Sequence, residues 1–342
     1  MLTFVVRRVV LSIPILILAS LLVFVFVRAT TDPLARVAQV RDPNTRTELA
    51  LKIGLQQGPC TNLRIELSDG PRDIKRCKPV PVLVQYGRYM KQAAGGHLGV
   101  SAITGRPVGG LLLDALSTTS QLILFGVVLS ALIAISTGVY SAVRQYSLLD
   151  YSFTGLAFVG LAMPPFWFGL IAIQFGSVYL RSLFGTRDPI FYSIGLHQHP
   201  GLGDYLRHLV LPVATLTVQI VASWTRFQRS SMLDVLSADY IRTARAKGLP
   251  RRTVVLKHAL RNGLIPLVTV MAIDIGALFG GLIITESIFS IPGMGKLFFD
   301  SLQNGDTNVL LPWLMVSAVF IIGFNLLADV LYGALDPRIR VT

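Results

Sequence analysis

Charged side chains are scarce in this sequence. Asp, Glu, Lys and Arg make up 14% of the chain, against 52% hydrophobic residues, and the mean hydropathy is +0.62. A soluble domain carries about a quarter charged residues, so an ordinary soluble fold is excluded and the chain belongs in a bilayer. Acid is the scarcer sign, with 18 Asp and Glu against 31 Lys and Arg and a net charge of +13. In a chain of this apolarity the excess is assigned to inner loops and anionic lipid headgroups, and no nucleic-acid partner is expected. Catalytic motifs are missing as well: there is no H-E-x-x-H, no C-x-x-C, no G-x-S-x-G and no G-x-x-x-x-G-K-S/T phosphate loop. The chain therefore cannot hydrolyse ATP by the usual phosphate loop, and no catalytic residue, metal or cofactor of its own is expected. His197 and His199, alternating in H-Q-H-P, are read as solvated loop residues rather than metal ligands.

What the chain has is long apolar runs. Six are long enough, or nearly so, to cross about 30 Å of hydrocarbon as helices. They run from Val9 to Val27, within Ala115 to Val143, within Tyr151 to Leu180, from Leu209 to Thr225, from about Gly263 to Thr285, and from Thr307 to Ala328. An even number puts both termini on one side. Arg7, Arg8, Arg144, the basic loop between runs four and five, and Arg338 with Arg340 make that side the cytoplasm. The first run is longer than a secretory signal core and no small-x-small site follows it, so it is read as a permanent signal anchor. The expected fold is an all-α integral membrane protein with six transmembrane helices, both termini cytoplasmic, and an extracytoplasmic insertion after helix 1. Its parts are the N-terminal helix at 1–30, the extracytoplasmic segment at 31–114, a five-helix core at 115–333 and a cytoplasmic tail at 334–342.

Within the core, the cytoplasmic loop at 229–262 is the most informative stretch. From Ala238 to Pro266 it reads A-D-Y-I-R-T-A-R-A-K-G-L-P-R-R-T-V-V-L-K-H-A-L-R-N-G-L-I-P. Asp239 is placed as the cap of a first short helix, with Tyr240, Ile241 and Ala244 as its apolar face. Gly248 and Pro250 end it, and a second helix restarts from Thr253. The stretch resembles the cytoplasmic coupling loop of ABC-importer permeases, whose pattern is Glu-Ala-Ala, three residues, Gly, nine residues, Ile-x-Leu-Pro. Here Arg242, Thr243 and Ala244 fill the first three positions, Gly248 is the glycine, and His258-Ala259-Leu260-Arg261 fill the end. This version is similar to the dipeptide, oligopeptide and nickel branch of type I importers, with a MetI-like transmembrane domain.

Other stretches extend that resemblance over nearly the whole chain. Arg7-Arg8 with Ile13-Pro14 and Thr31-Asp32-Pro33 resembles the family's N-terminal signature. Leu98-Gly99-x-Ser101 and Arg106-Pro107-Val108 look like the family's stretch leading into span two, and Leu335-Asp336-Pro337-Arg338-Ile339-Arg340 resembles its cytoplasmic tail. Met163-Pro164-Pro165-Phe166-Trp167-Phe168-Gly169 resembles a motif of the third span, where proline frees a backbone carbonyl and kinks the helix. Pro165, Phe166 and Trp167 are either path lining or helix packing. Asp274, near the middle of span five, faces an aqueous path or pairs with a polar group of a neighbouring subunit. Glu286-x-x-Phe289-x-x-Pro292-Gly293-x-Gly295 matches the branch and implies a tight turn at the outer face, with Glu286 a further candidate for the path.

The resemblance implies a permease that pairs with a second, homologous permease. Two cytoplasmic ATPase subunits, or one fused ATPase, would bind ATP and Mg. An extracytoplasmic binding protein would deliver cargo at the bacterial plasma (inner) membrane. Tyr240, Ile241, Arg242, Thr243, Ala244, Arg245, Lys247, Gly248, Leu249, His258 and Arg261 would form the ATPase-coupling loop, Ile241 and Ala244 seating in the partner's pocket and the cations on its acidic rims. The implied cargo is di- or oligopeptides; nickel, haem or another small solute remains open, as does a proton-driven carrier with Asp274 as relay. An intramembrane enzyme would need a nucleophile-base or metal-ligand pair that the spans do not offer. Cys60 and Cys77 bracket Leu63-Arg64-Ile65-Glu66-Leu67, which alternates as a strand, followed by turn chemistry at Ser68-Asp69-Gly70-Pro71. A disulfide is expected there, stabilising the loop by roughly 3 kcal/mol. Against the family it looks like a stapled insertion.

Overall fold

The computed structural model describes residues 2–30, 81–196 and 201–335. Cys60, Cys77, the strand expected at 63–67, His197, His199 and the tail from Asp336 lie outside the described residues. Every regular element among the described residues is a helix: α1 Leu2–Thr30, α2 Val82–Ala94, α3 Val108–Val143, α4 Leu148–Ala162, α5 Pro165–Phe184, α6 Leu202–Ser237, α7 Asp239–Ala246, α8 Arg251–Gly263, α9 Ile265–Leu278, α10 Ile283–Ile288, α11 Met294–Gln303 and α12 Thr307–Leu335. Five are long and apolar enough to cross a membrane, or six when the bent pair α8 and α9 is counted as one span. Each of the six apolar runs falls on these helices.

Two of the runs are not single rods. The third is two helices, α4 and α5, parted at Met163 and Pro164. Met163 has an extended backbone, φ −76° and ψ 125°, because the ring of the following proline crowds the α conformation of the residue before it. Pro165 then occupies the first turn of α5, where its missing N–H costs nothing. The fifth run begins with a bend of 46° between α8 and α9, at Leu264, with Pro266 in the first turn of α9. It stops at Leu278, well before Thr285, and turns through Phe279–Leu282 into the short α10.

The described residues form two compact units. The larger holds 115–297 and 317–335 with the first turns of α1. At its centre α6, 36 residues long, spans about 54 Å at 1.5 Å per residue, far more than the hydrocarbon needs. It packs against α4, α5 and α9. Its core joins Leu122 of α3, Leu209 and Leu216 of α6, Phe279, Leu282, and Phe289 with Ile291 beyond α10. Burying apolar side chains drives little association in lipid, so interhelical hydrogen bonds add specificity. Thr137 and Thr225 hydroxyls meet at 3.0 Å, and the Tyr205 hydroxyl donates to Gln121 Oε1 at 2.6 Å.

The smaller unit holds the rest of α1, residues 81–114 and residues 298–316. The Tyr86 hydroxyl of α2 lies 2.7 Å from Ser20 Oγ of α1, and Phe24 meets Tyr86 edge-on, with ring centroids 5.6 Å apart. The loop after α2 is tied to the start of α12: the buried Asp306 carboxylate accepts from Ser101 Oγ and from the Ala102 N–H at 3.1 Å, while Asn308 Nδ2 donates to the Val100 carbonyl at 2.9 Å.

Candidate functional site

The basic loop is a helix, a glycine turn and a second helix. Helix α7 starts at Asp239, but its N-cap is Ala238 and no side chain caps it, so the expected Asp239 cap does not form. The carboxylate instead faces Arg242, 3.5 Å from its Nη1, with both side chains largely exposed. The turn is made by Gly248, whose φ of +73° is a left-handed conformation that L side chains rarely adopt. Pro250 follows in extended conformation and caps α8, which starts at Arg251, two residues before the expected Thr253. Inside α8, Val254–Ala259 is wound as a π-helix, so that Val254 and Ala259 are buried while Leu256 stays exposed.

The apolar face of α7 is already occupied. Ile241 is fully buried and Ala244 nearly so, packed with Ala142, Met232, Val254 and Ala259 of the same chain. The expectation that these two side chains seat in a partner's pocket is therefore corrected: they anchor the loop to the end of its own bundle. An amphipathic helix next to an apolar surface buries its stripe at once, leaving the polar face for others. The exposed residues are Tyr240, Arg242, Thr243, Arg245, Lys247, Gly248 and Leu249, with Arg261 on α8; His258 is half-buried. Tyr240 is steadied by Asn262 Nδ2, which donates to its hydroxyl at 2.9 Å, and the Thr243 hydroxyl bonds back to the Asp239 carbonyl at 3.0 Å.

A buried ion pair beneath the loop went unrecognised in the sequence. Arg229 of α6 grips Asp150 of α4 with two bonds, Nε to Oδ1 at 2.9 Å and Nη2 to Oδ2 at 3.0 Å. The Tyr146 N–H donates to Oδ2 at 2.9 Å. Asp150 lies before the apolar run that begins at Tyr151. The Arg229 hydrogen bond, helped by the Tyr146 N–H, holds its carboxyl below the usual carboxylate range despite burial. The available signal was Ser147-x-x-Asp150, a capping-box pattern of which the Ser147 half forms: its Oγ accepts from the Asp150 N–H at 3.2 Å, while the Asp150 carboxylate takes the Tyr146 N–H.

The path candidates do not form one site. Phe166 and Trp167 are about half exposed at the start of α5, with Pro165 half-buried beside them. Asp274 is half-buried and accepts from the indole Nε1 of the fully buried Trp224 at 2.7 Å, a partner within this chain. Glu286, expected on the path, is fully buried and caps a helix instead. It accepts from Thr119 Oγ1 at 2.6 Å and from the Lys296 N–H at 3.0 Å. Thr119 Oγ1 in turn accepts from the Met294 N–H at 2.8 Å. A carboxylate on the free N–H groups of α11 is favourable by charge and geometry alike. The E-x-x-F-x-x-P-G-x-G string is this lock. Phe289 fills the core, Pro292 is exposed, a Cβ on Gly293 would overlap the Glu286 carboxylate, and one on Gly295 would reach 2.5 Å from the Ile283 nitrogen.

The larger unit is a bundle of apolar helices with a basic helix–turn–helix packed on its end. The fold matches that of the MetNI methionine ABC transporter in its inward-facing conformations, with a TM-score of 0.52 over 66% of this chain and 96% of that one at 19% identity. The chain belongs to the family of binding-protein-dependent transport system inner membrane components, matched by residues 126–341. It is 37% identical to the oligopeptide transport system permease protein AppB of Bacillus subtilis (strain 168), over 99% of this chain and all of the relative. With the dipeptide transport system permease protein DppB of Escherichia coli (strain K12) the identity is 35%, over 99% of each chain. The protein is thus a multi-pass inner-membrane permease.

Proposed function

We propose that this chain is one permease subunit of an ATP-driven importer of di- and oligopeptides. It works beside a second, homologous permease and is powered by separate ATPase subunits that hold the ATP and Mg. The observation that carries the reading is end-to-end similarity, at 34–37% identity, to relatives named as oligopeptide and dipeptide permeases. The basic loop supports the coupling role. Its apolar stripe locks it to the bundle, so a force applied to the exposed face of α7 is transmitted to α6 and α3 through Met232 and Ala142. Arg242, Arg245 and Lys247 present cations to an acidic rim of an ATPase, and an external binding protein delivers cargo. The wide chemistry of peptides is selected by that binding protein, and the path in the permease needs few specific contacts.

The test is ATPase activity of the reconstituted complex, titrated with the binding protein and a peptide library. Peptides are expected to stimulate hydrolysis; stimulation by nickel, haem or another solute alone would sink the cargo assignment while leaving the permease intact. Gly248→Leu forces a side chain into φ +73°, a strain of about 1–2 kcal/mol. Transport per ATP is expected to fall by about tenfold, the equivalent of 1.4 kcal/mol, while basal hydrolysis persists. Arg242→Glu is expected to weaken ATPase docking more than Arg242→Ala does, since reversal adds repulsion to the lost attraction. Unchanged coupling in the glycine variant would remove the loop from the mechanism.

A further inference from the structure

Helix α2 is attached to α1 at a depth that its place in the sequence does not announce. Between Arg8 and Arg28 the chain of α1 carries no charge, so those two residues bracket its passage through hydrocarbon. Ser20 stands twelve residues beyond Arg8 and eight short of Arg28, about 18 and 12 Å along the axis. The Tyr86 hydroxyl of α2 reaches that level. It lies 2.7 Å from Ser20 Oγ and donates to the Ile17 carbonyl, deeper still, at 3.2 Å. A tyrosine side chain is too short to cover that distance from above, so the α2 backbone itself lies below the level of Arg28. Phe24, one turn further along α1, touches both Tyr86 and Tyr89, with ring centroids 5.6 and 6.2 Å apart. Helix α2 therefore rises toward the Arg28 end of α1 as it proceeds.

The free surface of α2 divides along its length. Its first turn, Val82, Leu83 and Val84, is exposed among the described residues, Leu83 by 68%, and no charge precedes Arg88 in the helix. Arg88, Lys91 and Gln92 further along are exposed as well, and the helix holds no acidic residue. Apolar below and cationic above is the order that acyl chains and headgroup phosphates ask of a helix entering one leaflet. The N-cap suits such an entry: Pro81 has no N–H, and its carbonyl takes the Val84 N–H at 2.9 Å. We infer that α2 is seated in the lipid of the leaflet at the Arg28 end of α1, with Leu83 and its neighbours among acyl chains and Arg88 and Lys91 at the headgroups. A lone tyrosine hydroxyl would be costly at that depth, and its two partners on α1 offset the cost. A helix held there fixes the height of the loop behind it, whose Val100, Ser101 and Ala102 bind Asp306 and Asn308 at the start of α12.

In the assembled complex with its ATPases, reconstituted in nanodiscs of phosphatidylglycerol and phosphatidylcholine, Leu83 or Gln92 would be replaced by a diazirine-bearing phenylalanine. On irradiation the carbene inserts into whatever touches it, and mass spectrometry distinguishes lipid, water and protein adducts. At Leu83 lipid adducts are expected to exceed water adducts by about tenfold, since the bilayer core holds almost no water; at Gln92 water adducts are expected to predominate. Water at both positions overturns the inference and leaves α2 a solvated helix. Protein adducts at Leu83, to this chain or to a neighbour, overturn it as well, because the apolar turn then has a protein cover. Lipid at both positions in equal measure overturns the placing of the basic end at the headgroups. Hydroxyl-radical labelling of the unsubstituted complex repeats the test without a foreign side chain. Leu83 is expected to oxidise about tenfold more slowly than leucine in a free peptide in the same buffer, for the same lack of water; oxidation at the peptide's rate overturns the inference.

Discussion

Gly293→Ala is expected to destabilise the protein by about 3 kcal/mol, the upper part of the range for overpacking a filled site. The added methyl group would coincide with the Glu286 carboxylate, and that carboxylate has nowhere to go. It is fully buried and held between Thr119 of α3 and the first N–H groups of α11. Moving it aside uncaps α11 and strands Thr119 Oγ1, whose other bond is to the Met294 N–H. Glu286→Gln is the gentler probe: it keeps the shape, removes the charge, and turns one acceptor into a donor facing other donors. It should cost about 1–3 kcal/mol. Thermal denaturation of the detergent-solubilised complex measures both. A Gly293→Ala protein as stable as the parent would mean that the turn repacks freely and that the lock does not hold.

Asp150→Ala is expected to cost about 3 kcal/mol, at the low end for breaking a buried pair because Arg229 keeps about a quarter of its side chain exposed. The variant leaves a guanidinium without its carboxylate and the Tyr146 N–H without an acceptor, at a residue already held at φ +63°. A double-mutant cycle with Arg229→Ala separates the pairwise energy from the cost of each truncation. The pH dependence has a definite sign. The Asp150 carboxyl is held below its usual range in the folded protein, chiefly by Arg229. Its stabilisation is therefore complete above the ordinary carboxylate range and is lost only as the pH falls through the depressed value. The parent should outlast the Asp150→Ala variant at neutral pH and converge with it in strong acid. A constant difference down to strong acid would show that the carboxylate charge is not what stabilises the contact.

Different levels of this protein were legible to different degrees. The six apolar runs were readable because a bilayer demands about twenty apolar residues of a helix, a signal that needs no partner. Gly248 was readable for a similar reason: a glycine followed two residues on by proline is a local stop, and its φ of +73° confirms the turn. The break at Met163 and Pro164 was half readable. Proline announces a disturbance in the helix, but whether the chain kinks or parts depends on how the neighbours receive α5.

Glu286 and Ile241 show the limit of the pattern. A carboxylate beside an apolar span suggests a path, and an isoleucine on a short basic helix suggests a docking contact. Neither residue could be assigned without its surroundings. Glu286 became a cap because Thr119, far away in sequence, and the start of α11 converge on it. Ile241 became an anchor because Met232 and Ala142 supplied an apolar surface inside the chain before any partner could.

The sequence by itself determined that the chain is a helical membrane protein, where its apolar runs lie, where its basic loop turns, and which permease branch it resembles. The first three follow from composition, periodicity and local backbone chemistry; the last rests on the likeness of particular motifs to the family's. Only the tertiary structure decided which face of α7 is free, that Asp150 and Arg229 are partners, and that the E-x-x-F-x-x-P-G-x-G string is a helix lock. Each of these depends on residues 9 to 167 positions apart in the chain meeting at hydrogen-bond or van der Waals distance, and no local rule of propensity encodes which residue will be there.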